Sequence, residues 1–390
     1  MNSTPFPAPR RRLRQLIPAA PRFPHRLVSR SRAAARRPTT TPAAPAVIIY
    51  AVAAMKIQSR TPVRIDLAGG TLDIFPLYVL EGGAVTVNAA VNLLSEVEIH
   101  ARGDGRIEII AEDLGESALF DDLASLLPGG PLDLIARVIA FYKPETGITV
   151  RTRSGVPKGS GLGASSALLI ALSHALNELI GAPCSKEDII HTGANLEAQS
   201  IRIPTGKQDY YSATRGGVNA IWFQVNGDQI EPLDPDGGVK AFLEENLVLS
   251  FTGQSHFSAV SNWNMIKAYV DGVHDTVRRF GRIREIAMLM RSILLEKRFD
   301  RFPEALAMEW ENRKNLAEGV STHVIEELMA AAKAAGAEAS KICGAGGGGC
   351  MISCVHPSRR RDVERALSER GAKIIPFLVD TTGLVVSKEP

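Results

Sequence analysis

Two glycine-rich runs hold the residues best suited to binding a small anion. The first is Pro157-Lys158-Gly159-Ser160-Gly161-Leu162-Gly163-Ala164-Ser165-Ser166. The second is Ile342-Cys343-Gly344-Ala345-Gly346-Gly347-Gly348-Gly349-Cys350-Met351-Ile352. Glycine accepts positive φ and lets backbone come close to a ligand, and successive exposed N–H groups form anion-binding concavities. A single run of this kind often only turns the chain; two in one sequence point further. The first run also has a context. Ile148–Arg153 alternates apolar with polar residues, as a half-buried strand does. The apolar, Ala/Leu-rich stretch Ala167–Leu179 reads as a mostly buried helix that stops at Gly181. Strand, glycine loop and helix N-terminus in that order suit a phosphate, because the first N–H groups of a helix are unpaired and partially positive. Ser165 and Ser166 stand where a hydroxyl could ligate Mg²⁺ beside the phosphates, or where it could only cap the helix. The spacing is neither G-x-x-x-x-G-K-[ST] nor a dinucleotide fingerprint with its paired acid.

These loops need elements to hold them, and two further segments carry charge into apolar surroundings. In Arg60-Thr61-Pro62-Val63-Arg64-Ile65-Asp66-Leu67-Ala68-Gly69-Gly70-Thr71-Leu72-Asp73, Arg64 falls inside a strand-like run, where an unpaired charge is costly. It pairs with Asp66 or another carboxylate, or it faces a cleft. Asp73, after a Gly-Gly turn, reads as a turn residue. Downstream lies Gly206-Lys207-Gln208-Asp209-Tyr210-Tyr211.

Taken in order, the segments around Arg64, Gly161 and Gly347 resemble the three motifs of the GHMP kinases (galactokinase, homoserine kinase, mevalonate kinase and phosphomevalonate kinase), over nearly all of residues 55–390. The Gly206–Asp209 stretch and the Gly-Gly before Asp73 look most like the sugar kinases of that group, in particular those acting on D-glycero-D-manno-heptose 7-phosphate. The resemblance implies a two-domain α+β fold, with an N-terminal ribosomal-protein-S5-like domain and a C-terminal ferredoxin-like α/β sandwich. It implies ATP and Mg²⁺ as cofactors, and transfer of the γ-phosphoryl group to a hydroxyl of a sugar or sugar phosphate. Asp209 matches the catalytic base, and Arg64 the cation that pairs with it and lowers its pKa. Ser165 and Glu197 match the Mg²⁺ ligands. Residues Pro157 to Ser166 match the phosphate-binding loop. Asp73, with Gly70, Lys207 and Gly346, Gly347 and Gly348, matches the substrate side. Such chemistry needs positioning and charge neutralisation more than covalent catalysis.

Two positions depart from the pattern. Ala164 stands where many relatives carry a serine. His256, after Phe251-Thr252-Gly253-Gln254-Ser255, stands about where heptose-phosphate kinases often carry an arginine. Histidine lacks arginine's fork for phosphate, so an unphosphorylated sugar is an alternative acceptor. A mevalonate-pathway or homoserine kinase is the alternative within the family. A catalytically inactive sugar sensor is the alternative outside enzymes, and the presence of Arg64, Ser165, Glu197 and Asp209 together argues against it. Lys207 reads equally as an anion contact or a solvated loop lysine.

Residues 1–54 contain ten arginines and no acid. Subtracting those ten charges from the net charge of +3 leaves −7 for the remainder. Arginine-rich, acid-poor composition suits a targeting tail or a disordered extension, and Met55, just before a strand-like run, is an attractive true start. The tail is expected to be dispensable. The apolar run Ala46–Ala54 is too short to span a bilayer. The remaining 336 residues suit two domains, expected at 55–230 and 231–390 with a seam in the Asp/Gly/Pro-rich stretch 227–238. Four cysteines without metal spacing read as free thiols. A cytoplasmic monomer or homodimer is expected, with ATP and a small sugar as partners and neither nucleic acid nor membrane.

Overall fold

Two long strands set the architecture, and a computed structural model describes them along with the rest of residues 55–181, 184–255 and 258–389. The expectations for residues 1–54 and His256 lie outside the described residues. Strand β1 (Lys56–Ala68) and strand β2 (Ala84–Arg102) pair antiparallel along almost their whole length, with a short helix α1 (Leu77–Leu80) between them. In β1, burial alternates through Lys56–Ser59 and becomes continuous from Thr61 to Ala68. The cause is cover on both faces: helices from each half of the molecule pack on this end of the strand. Arg64 and Asp66 lie in that doubly covered part, which is why they must find partners.

The chain then forms β3 (Ile107–Ala111), β4 (Glu116–Phe120), α2 (Asp133–Tyr142), β5 (Gly147–Ser154), α3 (Ala164–Ile180), α4 (Lys186–Ile201), α5 (Gln208–Arg215), β6 (Val218–Gln224) and β7 (Gly227–Pro232). The first sheet has the order β4-β3-β5-β2-β1, and the start of β2 also pairs with β6, which pairs with β7. Only β3 and β5 run parallel, joined through α2. After α6 (Gly238–Asn246) and β8 (Leu247–Phe251) come α7 (Ser258–Val270), α8 (His274–Leu295), α9 (Phe302–Arg313), α10 (His323–Ala335), β9 (Ala337–Ile342), β10 (Cys350–Val355), α11 (Arg360–Ser368), β11 (Lys373–Ile374) and β12 (Val385–Glu389). The second sheet is antiparallel in the order β11-β8-β10-β9. It is buried on both faces: Cys350, Ile352 and Cys354 of β10 join the core around the first sheet, and Met351 joins a second core with Phe280, Trp310 and Ile325. Period-two alternation in a fully apolar strand serves both layers.

The α+β class stands. Gly227–Pro232, expected within the linker, is β7, hairpinned to β6 across Val225-Asn226; Asn-Gly before a strand is a strong hairpin signal. The chain after 231 does not stay with the second sheet either. Strand β12 returns to pair with β1, Lys56 opposite Glu389, and so covers an edge that would otherwise be open. Strand β11 is only two residues long, Lys373–Ile374. Among the described residues, no helix is long and apolar enough to cross a membrane.

Candidate active site

Helix α3 begins at the first glycine loop, with Gly163 in the N-cap position at φ +77 and no side chain capping it. The helix-cap reading of Ser165 and Ser166 therefore fails. Ser166 instead donates to Glu197 Oε2 at 2.8 Å, and Ser165 is exposed at the first turn. A Cβ on Gly163 would lie 2.8 Å from the carboxyl carbon of Asp209. The space glycine leaves is thus filled by Asp209, at a helix N-terminus whose partial positive charge favours an anion.

Arg64 Nε donates to Asp209 Oδ1 at 2.6 Å, and Arg64 Nη1 donates to the Gly161 carbonyl at 2.6 Å. Of the two partners left open for Arg64, the structure selects Asp209 over Asp66. Arg64 is 4 % exposed. Burial works against its charge, but Asp209 and Asp66 more than offset this and its pKa is raised. Asp209 also titrates above the usual aspartate range: burial raises it more than Arg64 lowers it. The expected lowering by Arg64 is present but does not win.

Glu197, 5 % exposed, comes from α4 and accepts from Ser166 and from the Tyr210 hydroxyl. Burial raises its pKa, hydrogen bonds from Tyr210, Ser165 and Ser166 pull it back, and Asp209 adds to the rise. Asp73, 1 % exposed, accepts from the Gln208 N–H at 2.9 Å through Oδ2, while its Oδ1 has no hydrogen-bond partner. Burial pushes it up to about 6. It lines a cavity of about 650 Å³ with Tyr78, His191, Asn195, Arg202 and Thr205. Lys207 lines the same cavity and is not a solvated loop lysine. Its Nζ pairs with the buried Asp228 at 2.5 Å and lies over the rings of Tyr78 and Phe223.

The two glycine loops touch one another. Cys350 N–H donates to the Ser160 carbonyl at 2.7 Å, and a Cβ on Gly161 would meet the Cys343 carbonyl oxygen at 2.5 Å. The N–H groups of Gly347 and Gly349 are spent on the carbonyls of Val320 and Gln254. At those two residues the second loop is packed backbone rather than an open anion cradle. Gly346, where a Cβ would strike Val320, is part of the same packing. Gly70 and Gly344 lie at the far end, both with carbonyls facing Arg313.

Around Arg313 lies a group the sequence reading missed. Asp66, Glu309, Arg313 and Lys341 have fully buried side chains. Lys341 Nζ donates to Asp66 Oδ2 at 3.0 Å and to the Asp66 carbonyl at 2.9 Å, and sits 3.4 Å from Glu309. Arg313 donates to Glu309 at 2.5 and 2.8 Å, to the Gly70 carbonyl at 2.8 Å and to Thr71. A lysine at the end of the strand that leads into Cys343, and Glu and Arg four apart on a helix, were the available signals. Removing one member of such a buried network typically costs about 3–5 kcal/mol. Three of the four cysteines, Cys343, Cys350 and Cys354, are buried, and burial pushes their thiols well up.

Comparison with known proteins follows the same lines. A family model described as the GHMP kinases N terminal domain matches residues 133–217, and one described as GHMP kinases C terminal matches 290–373. The chain is 28% identical to the D-glycero-alpha-D-manno-heptose 7-phosphate kinase of Campylobacter jejuni, covering 84% of this chain and 98% of that protein. It is 26% identical to the mevalonate kinase of Pyrococcus furiosus, covering 86% and 99%. Among solved structures, a D-glycero-D-manno-heptose 1-phosphate kinase from Bacteriodes thetaiotaomicron is similar, with a TM-score of 0.68 and 27% identity over 86% of this chain and 99% of that one.

The loop contact is testable through glycine. Gly161 and Gly181 both sit at positive φ, but a Cβ on Gly181 meets nothing within 4 Å. Gly181→Ala should cost about 1–2 kcal/mol for the left-handed backbone alone. Gly161→Ala should cost clearly more, because its Cβ meets backbone as well. Urea unfolding of both variants checks this; equal losses would mean that the two loops are not held at this distance.

Proposed function

Because the chain belongs to the GHMP kinases, phosphotransferases that use ATP and an alcohol acceptor, we propose that it phosphorylates a hydroxyl of a sugar phosphate of the heptose 7-phosphate kind, with Asp209 as the base. The observation that carries this reading is the ion pair of buried Arg64 with the partly exposed Asp209, set against the N-terminus of α3 between the two glycine loops. The first loop and the opening turn of α3, Pro157 to Ser166, hold the triphosphate. Asp209 takes the proton of the acceptor hydroxyl as its oxygen attacks the γ-phosphorus and ADP leaves. Arg64 holds the Asp209 carboxylate in place through its Nε, and its second bond to the Gly161 carbonyl ties base to loop. Burial raises Asp209, Glu197 and Asp73 together, and Arg64 offsets this only in part at Asp209. A hard divalent cation suits that deficit, and the hydroxyl of Ser165 with the carboxylate of Glu197 supplies the oxygen donors Mg²⁺ prefers. When bound, Mg²⁺ neutralises phosphate charge.

The acceptor lies in the cavity beside Asp73. Its unpartnered Oδ1 is available to a sugar hydroxyl. Arg202, exposed on the cavity wall at the end of α4, offers the fork that a phosphate ester takes; Lys207, engaged with Asp228, does not. This favours a phosphorylated acceptor over a free sugar. Mevalonate is the second reading, supported by the similarity to mevalonate kinases.

Release of ADP should be greatest with heptose 7-phosphate in a screen that also holds free hexoses, mevalonate and homoserine. Asp209→Asn should lower turnover roughly 10²–10⁴-fold while keeping ATP binding, the usual worth of a positioned base. Turnover near wild type in Asp209→Asn would remove it as the base. Ser165→Ala and Glu197→Gln should each raise the Mg²⁺ concentration needed for half-maximal rate, and an unchanged titration in both would contradict the ligand assignment.

A further inference from the structure

We propose that Lys341 is a positioning residue that reserves Arg64 for Asp209 by occupying the carboxylate of Asp66. The inference rests on the reading of Asp209 as the base. Arg64 and Asp66 are two residues apart on β1, so their side chains share one face of the strand. Both are buried, and Asp66 acts on both Arg64 and Asp209 through its charge. Arg64 therefore has two candidate partners within reach of its own strand face. It bonds Asp209 and the Gly161 carbonyl. Asp66 bonds Lys341 through Oδ2 and keeps Oδ1 without a hydrogen-bond partner.

Without Lys341, Asp66 would be a buried carboxylate with no bonded cation, beside a guanidinium whose donors could satisfy it. Buried charges seek the nearest partner strongly. Arg64 would then turn toward Asp66, and Asp209 would lose the contact that fixes it against α3. Lys341 comes from β9, the strand that runs directly into Cys343 and the second glycine loop. It bonds the Asp66 backbone as well as its side chain. One residue of the second sheet thus sets both the charge and the place of the strand that carries Arg64. Arg313 completes the arrangement by taking Glu309, so that Lys341 is not drawn fully away from Asp66.

A purely structural role for Lys341 and the proposed role differ in one respect: the second predicts rescue. Lys341→Met should lower kcat roughly 10²-fold, as a misplaced base does, with the KM for ATP little changed. Adding Asp66→Asn removes the competing carboxylate, so Asp66→Asn/Lys341→Met should recover kcat to within about fivefold of wild type, a strongly non-additive pair. If the double variant turns over no faster than Lys341→Met, the proposal is overturned and the lysine only packs. Should Lys341→Met not fold, the double variant decides alone: turnover above about a tenth of wild type supports the proposal and turnover below it overturns it. Asp209→Asn, measured alongside, separates this proposal from the reading beneath it. Near-wild-type turnover there sinks the base assignment, whereas an inactive Asp209→Asn with no rescue sinks only the role of Lys341.

Discussion

The pairing of buried Arg64 with Asp209 is the constraint on which the rest of this structure depends. A guanidinium in a strand covered on both faces must be bonded or be expelled, and the chain bonds it twice, to Asp209 and to the Gly161 carbonyl. That requirement propagates outward. Asp209 occupies the place a side chain at Gly163 would fill, so the start of α3 must be glycine. Gly161 must let the Cys343 carbonyl approach, which brings the second glycine loop against the first. The second loop is in turn fixed by β9 and β10, whose strand pairing closes just beyond it. The ion pair, the helix N-terminus and the two loops are therefore one packed object rather than four separate features.

The charge balance of this object is uneven by construction. Asp66, Glu309, Arg313 and Lys341 form a buried group with two charges of each sign, and there the cations prevail: burial raises Asp66, but Lys341, Arg313 and Arg64 together hold it low. Around the base, Asp73, Glu197 and Asp209 are all pushed up by burial, with Asp209 adding to the rise at Asp73 and Glu197 and Asp66 adding to it at Asp209. One half is internally neutral and keeps the two sheets together. The other half is rich in carboxylates and suits a cationic complement.

The sequence showed what is local and hid what is not. Both glycine loops and helix α3 were legible because turn chemistry and periodicity act over a few residues. Arg64 was visible as an anomaly in a strand, but its partner lies 145 residues away, and only the family resemblance brought Asp209 to it. Nothing brought Lys341, 275 residues from Asp66, to light; a single lysine in a short strand resembles many solvated ones. The partners of Lys207 were hidden for the same reason, since Asp228 and Tyr78 approach it from other elements. The linker-like composition of 227–238 concealed strand β7. The return of β12 to β1 is a long-range pairing that no local pattern announces.

The central claim is that Arg64 and Asp209 act as one unit, and a double-mutant cycle on turnover tests it most directly. Arg64→Met, Asp209→Asn and the two together are compared with wild type at saturating ATP and acceptor. The account predicts that the double variant loses no more than about what Asp209→Asn loses alone, because residues acting as a unit are grossly non-additive. Losses that multiply, or an Arg64→Met that turns over like wild type, would contradict it.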